Sequence, residues 1–376
     1  MASGNDSKIS SIQLFMLMVG FLYGSTAIMN PAVAAKKDGW IALIFGWTGG
    51  VALITLYTTI ARKNSDKTLV QILIDHFGKA AGTIIAMLYF WYFLHLASLV
   101  LRNFGEFMVT TTFPETPMSV MIALFALAIV YVTRNGLEVV ARLAELLVPI
   151  IPIPIILVSF SLLTSHDFTA FLPMLEKGIQ PVLKAGFSVV TFPYGEAVTF
   201  LMVYPHLNKK ENTRKVSYLA ATVIGIFFLI STYRDLSVLG SDLLVRINYP
   251  PNITAKMIPG MNIEPVVVIN LLVGGGVKTC ICIYAASEVI IQILRIDKER
   301  PIITMLTVFC VVLSMWLFTN ALDMMRWAGN VWQYYSIPFQ IVIPAVLLVI
   351  SWIKGRKGPA KAKKGQPSNS CDNIKK

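Results

Sequence analysis

Phe192-Pro193-Tyr194-Gly195-Glu196-Ala197-Val198-Thr199-Phe200 is the run whose reading decides the fold. It lies inside an apolar segment over about 182–204, long enough to cross a bilayer. A proline, a glycine and a carboxylate stand at its centre. Pro193 removes a backbone donor and clashes with the preceding turn. Gly195 suits unwound chain, and Glu196 is costly in hydrocarbon unless it faces protein, water or a ligand. Irregular backbone at membrane depth is tolerated only where it is packed in protein or lines a cavity. The run therefore predicts a spanning helix broken at mid-membrane with a carboxylate at the break, a construction that secondary transporters use for binding sites.

Composition agrees with a membrane setting. Of 376 residues, 56% are hydrophobic and 14% charged, whereas a soluble chain carries about a quarter charged residues. The first apolar segment begins near Ile9 without a small-residue cleavage site, so no removable signal peptide is expected. The net charge of +12 comes from basic residues in short inter-helix loops and in the C-terminal tail, which is topology rather than nucleic-acid binding. Cys280 and Cys282 fall on different helix faces, Cys310 and Cys371 lie apart, and no histidine cluster joins them, so neither metal nor cofactor is expected. Phosphate-loop, His-Glu-x-x-His and Gly-x-Ser-x-Gly motifs are missing. His76, His95, His166 and His206 are scattered, so no catalytic residue is named and no enzyme is expected.

A hydropathy window gives about ten spans, near 10–33, 39–61, 83–111, 118–134, 142–164, 182–204, 216–240, 265–294, 301–320 and 332–353. They form one polytopic all-α domain over 1–354. The stretch 355–376, rich in Lys, Gly, Pro and Ser, is expected to be a disordered basic cytoplasmic tail. With both termini inside, the inner loops collect Arg62, Lys63, Arg134, Arg142, Lys209, Lys210, Arg214, Arg295 and Arg300 among others. The outer side keeps Lys36, Lys37, Lys177, Lys184, Arg246, Lys256 and Arg326. Positive charge thus predicts cytoplasmic N- and C-termini. Two outer connections are long, over 165–181 and 241–264, and read either as lids or as solvated connectors.

The first span carries Gly24-Ser25-Thr26 in its middle. Alone, this reads as a packing point, with the hydroxyls bonding back to their own helix. The first and sixth of ten spans are, however, equivalent positions in two repeats of five, and paired interruptions there point to a binding site. With the Phe192-Pro193-Tyr194-Gly195-Glu196 run and ten spans, the chain resembles the endospore germination permeases, the B subunits of bacterial spore germinant receptors, within the amino acid–polyamine–organocation superfamily. The resemblance covers the chain to about Lys354. It implies a LeuT-like five-plus-five inverted repeat with broken helices 1 and 6, and a small nutrient held between helices one, three, six and eight. It also implies assembly with A and C subunits in the inner membrane of a spore.

Candidate ligand-binding residues follow from the polar and small groups at membrane depth. They are Gly24, Ser25 and Thr26 in the first span, Leu99 and Asn103 in the third, and Phe192, Tyr194, Gly195 and Glu196 in the sixth. Tyr284, Ser287 and Glu288, on one turn of the eighth beyond Gly274-Gly275-Gly276, complete the set. Gly24, Pro193 and Gly195 are the helix-breaking positions. For a zwitterionic amino acid, amides near Ser25 and Thr26 would take the carboxylate. Carbonyls near Phe192 and Tyr194 would take the ammonium, with Glu196 read as a stabiliser of the break rather than a direct ligand. Arg102 and Glu106, four apart, read as a mutually neutralising pair; Arg234 and Asp235 read as snorkelling to the outer surface.

The expected function is nutrient sensing by a receptor subunit, in which ligand binding shifts a pre-existing helix equilibrium. The alternatives are a proton- or sodium-coupled amino acid symporter and an ion or water conduit of the receptor complex. A non-binding assembly subunit is a further one.

Overall fold

The computed structural model describes residues 8–260, 264–296 and 299–356. Its helices are α1 (Ser11–Tyr23), α2 (Gly39–Lys63), α3 (Leu69–Phe77), α4 (Lys79–Thr111), α5 (Met118–Thr133), α6 (Leu137–Leu147), α7 (Pro152–Ser161) and α8 (Gln180–Thr191). They continue as α9 (Thr213–Leu244), α10 (Pro250–Lys256), α11 (Glu264–Leu294), α12 (Glu299–Trp316), α13 (Ala321–Asn330), α14 (Trp332–Ile337) and α15 (Ile343–Arg356). Among the described residues, seven helical stretches are long and apolar enough to cross a membrane: Ser25–Lys63, Lys79–Thr111, Leu137–Ser161, Lys210–Leu244, Val267–Leu294, Glu299–Trp316 and Trp332–Ile353. The shorter α1 and α5 and the interrupted sixth segment complete two sets of five. Most of the basic tail, from residue 357 on, lies outside the described residues.

Local chemistry sets where these helices start and stop. Ser10 opens α1 with a capping box: its Oγ accepts from Gln13 N–H at 3.1 Å, and Gln13 Oε1 accepts from Ser10 N–H at 2.9 Å. Thr68 and Gln71 repeat the device at α3. The fifth span, expected from 142, begins at Leu137 because Gly136, at φ +90°, turns the chain directly into α6. The seventh runs to Leu244, past 240, with Gly240 at φ +70° kinking it.

At the centre of the bundle α4 packs along α11, with α1 against α9 and α11, and α2 against α8 and α9. α4 runs 33 residues, about 50 Å, and is buried almost continuously from Tyr92 to Met108. Outward positions such as Ile84, Leu127, Phe160 and Trp316 are exposed and apolar. That is the surface a lipid-solvated bundle presents, since a bilayer covers what water would reject.

Arg102–Glu106 and Arg234–Asp235 are two of the buried charged pairs. Arg102 donates to Glu106 Oε1 at 2.5 Å and also to the carbonyls of Ser314 and Met315, the last turn of α12. A guanidinium there satisfies carbonyls that the helix end leaves open. Arg234 and Asp235 do not snorkel: both are buried, paired at 2.7 Å, and Asp235 accepts from Thr254 Oγ1 of α10. The connection between α9 and α11 carries its own helix, α10, which roofs the pair and removes it from water.

Candidate functional site

The first span breaks where α1 runs out of amide partners. Gly24 N–H still bonds Gly20 O at 2.9 Å, and the next amide with a backbone acceptor is Ala27's, to Gly24 O. Thr26 Oγ1 reaches back to Leu22 O at 2.9 Å and Tyr23 O at 2.6 Å, satisfying carbonyls that the lost turn frees. Ser25 Oγ is buried with no partner among the described residues. The chain then passes through a short 3₁₀ turn, Ser25–Ala27, and a second, Pro31–Asp38, before α2. A methyl on Gly24 would meet Lys278 Cδ at 2.7 Å, and one on Gly274 would meet Gly24 N at 3.0 Å. Paired glycines thus let α11 lie directly on the break.

The sixth span breaks at Phe192-Pro193, after α8. The chain resumes as nine residues of 3₁₀ helix, Tyr194–Met202. The open carbonyls are met from outside: Thr191 O accepts from Gln340 Nε2 at 3.0 Å, and Gly195 O from Tyr57 Oη at 3.0 Å. Gln340 stands on a π-helical turn, Pro338–Val342, of the tenth span, the kind of irregularity that serves a site.

Between the two breaks lies a cavity of about 310 Å³, at the small end of the roughly 300–1,000 Å³ that small-molecule sites occupy. Ser25, Asn103, Ser188, Glu196 and Lys278 are polar members of its lining, and Leu96, Leu99, Phe192, Met324, Trp327 and Trp332 apolar ones. Among the described residues, Glu196 and Lys278 are its two charged ones. Both are fully buried, and Lys278 Nζ donates to Glu196 Oε2. The ammonium also stands 4.9 Å from the Phe192 ring centroid and 5.4 Å from that of Phe21, within cation–π range. Neither charge would persist here alone, since removing one leaves the other uncompensated. Glu196 Oε1 has no partner among the described residues.

Below this floor the bundle is closed by packed side chains. Phe21 meets Phe200 edge-on at 5.2 Å, Tyr204 bonds Ser217, and His206 Nε2 lies 3.1 Å from Tyr284 Oη. Ile9 pairs with the 206–208 backbone through bonds at 2.9 and 3.0 Å.

Of the residues singled out from sequence, Ser25, Leu99, Asn103, Phe192 and Glu196 line the cavity together. Gly24 and Gly195 lie at the breaks under Lys278 and Gln340, and Thr26 turns its hydroxyl into its own helix. Tyr194 points away, its hydroxyl 3.4 Å from Ala221 O. Tyr284, Ser287 and Glu288 are not among the lining residues; they bond His206, the Tyr284 carbonyl and Gln292. Sequence reading passed over Lys278, Gln340 and Tyr57. A lone lysine in an apolar span is itself a signal for the first; nothing local marks the other two, which act across more than a hundred residues of chain.

Paired breaks around a cavity with a charged floor, in a bundle of two sets of five spans, define a multi-pass membrane protein of the LeuT-like class. Two solved structures share the fold. One is a Na⁺-coupled sialic acid symporter in its substrate-bound outward-open state, with TM-score 0.66 and 10% identity, covering 94% of this chain and 85% of that one. The other is MhsT in complex with L-phenylalanine, with TM-score 0.61 and 14% identity over 92% and 98%. Within that class the chain belongs to the spore permease family, whose profile, described as spore germination protein, matches residues 8–321. Similar proteins from Bacillus subtilis (strain 168) include spore germination protein KB, 28% identical over 96% of this chain and 99% of that protein. Spore germination protein YndE is 22% identical over 93% and 98%.

Proposed function

We propose that this chain is a nutrient-sensing subunit of a spore germinant receptor, binding an amino-acid-sized nutrient in the cavity between the broken first and sixth spans. The observation that carries the reading is the floor of that cavity. A buried ion pair there leaves one carboxylate oxygen, Glu196 Oε1, and one hydroxyl, Ser25 Oγ, without partners among the described residues. Unpaired buried polar atoms cost about 1–3 kcal/mol each, a deficit that a ligand's ammonium and carboxylate relieve. In this reading the ligand ammonium meets Glu196 Oε1, and its carboxylate meets Ser25 and the Lys278 ammonium. Leu99, Asn103 and Phe192 bound the side chain, while Gly24, Pro193, Tyr194 and Gly195 hold the breaks open. Thr26 serves the first break through its hydroxyl. Tyr284, Ser287 and Glu288 belong to the closed end, where they act on the transition rather than on the ligand.

Binding favours one arrangement of the two sets of helices, and the change passes to A and C subunits in the spore inner membrane, with both termini cytoplasmic. The test is nutrient-dependent thermal stabilisation of the purified protein, with Leu99→Trp as the blocked control. A panel of amino acids and sugars that never stabilises the wild type, while Leu99→Trp remains folded and equally inert, removes the reading.

A second reading, a secondary amino acid transporter, is favoured by the fold neighbours, one of them a symporter. Gradient-dependent accumulation of a labelled nutrient in proteoliposomes decides for it; ligand binding without accumulation decides for the sensor.

A further inference from the structure

The cavity floor places a cation where two helices end. α1 finishes at Tyr23 and α8 at Thr191, so both helices end at the breaks. A helix C-terminus carries about half a negative charge, and Glu196 adds a full one. This concentration of negative potential is what a bound alkali cation neutralises, and the fold is shared with a Na⁺-coupled symporter. In this chain the space is filled from α11. The Lys278 side chain crosses Gly24, with Cδ where a Gly24 β-carbon would come within 2.7 Å, and its ammonium reaches Glu196 between the Phe21 and Phe192 rings. Among the described residues, Glu196 and Lys278 are the two charged ones lining the cavity, so their formal charges cancel. A free Na⁺ would share the space with an ammonium already paired to Glu196, with no second anion among the described lining residues to balance it.

We propose that Lys278 is a tethered counter-cation, so that the arrangement of the broken helices requires no dissociable Na⁺ or K⁺. The residues at the break do not fit a resident alkali ion, because the protein supplies the charge covalently. The glycine at 24 is then a clearance for the lysine stem as much as a helix breaker. This stands whether or not the cavity takes a nutrient, so its test uses none.

The full chain, purified in lipid nanodiscs, is melted in choline, sodium and potassium chloride at equal ionic strength. The expected result is one Tm in all three salts for the wild type. Lys278→Ala is expected to melt lower in choline and to recover part of the loss in sodium or ethylammonium chloride, as a free cation enters the vacated space. A sodium- or potassium-selective rise in the wild-type Tm overturns the proposal, as does a folded Lys278→Ala indifferent to both added cations. Should Lys278→Ala not fold, Lys278→Arg keeps the charge and is expected to share the wild type's indifference; a gain of sodium dependence in Lys278→Arg overturns the proposal equally. The wild-type series depends on no variant.

Discussion

Gly195 and Gln340 are in direct apposition: a β-carbon on Gly195 would lie 2.0 Å from Gln340 Oε1. The glutamine presses on the sixth span's break and, through Nε2, bonds both Thr191 O and the Tyr92 hydroxyl. The tenth span thereby holds the sixth open. Gly195→Ala should lower stability by about 1–3 kcal/mol through overpacking. Gln340→Ala in the same chain should return part of that, because it removes the obstructing atom. A double-mutant cycle by thermal melting checks the coupling, and additive losses would rule out the contact as its source.

Tyr57 closes the same break from α2. Its hydroxyl lies 3.0 Å from Gly195 O and 2.7 Å from Gln340 O. Tyr57→Phe keeps the ring and leaves these carbonyls without that donor, an expected loss of about 1–3 kcal/mol. Melting measures the loss; hydrogen exchange should show it concentrated over 192–203 rather than spread through the bundle.

The Arg102–Glu106 pair is structural. Arg102→Met strands a buried carboxylate and the carbonyls of Ser314 and Met315, and should cost about 3–5 kcal/mol. Adding Glu106→Leu should restore much of the loss, since an apolar pair needs no compensation. A double variant as unstable as the single one would show that the carbonyl bonds, not the ion pair, matter most.

His166, in the 165–181 connection, bonds Ser237 through Nδ1 at 3.0 Å. Burial first, and then the Arg234 charge, hold its imidazole below the ordinary 6.5. The fold therefore favours the neutral ring. Its contribution is present above pH 6.5 and is lost as pH falls through the lowered value. Amide exchange over 165–171 should quicken on acidification in the wild type and change less in His166→Phe, which has no proton to gain.

Ser25→Ala removes an unpartnered hydroxyl, so the unliganded protein should melt at or slightly above the wild-type temperature while nutrient affinity falls several-fold, as loss of one hydrogen bond of about 1 kcal/mol requires. Titration of ligand-dependent melting checks both halves. Equal affinity in the two proteins would remove Ser25 from the ligand's contacts.

Sequence alone determined the class of this chain. Apolar runs of bilayer length are a one-dimensional property, and so are the prolines, glycines and hydroxyls that interrupt them, because backbone bonding in a helix reaches only four residues. Gly24-Ser25-Thr26 and Pro193-Tyr194-Gly195 were legible on those grounds, as was Glu196 as a charge needing an explanation. What answers that charge was decided only in three dimensions. Lys278 is 82 residues further along, Gln340 and Tyr57 lie on other spans, and which face of α11 or α2 meets the break depends on helix rotation, which apolar sequence leaves nearly free in lipid. Arg234 and Asp235 show the same limit. Their place near a span's end predicts water, whereas the roof that α10 forms over them exists only once the connection from α9 to α11 has folded back.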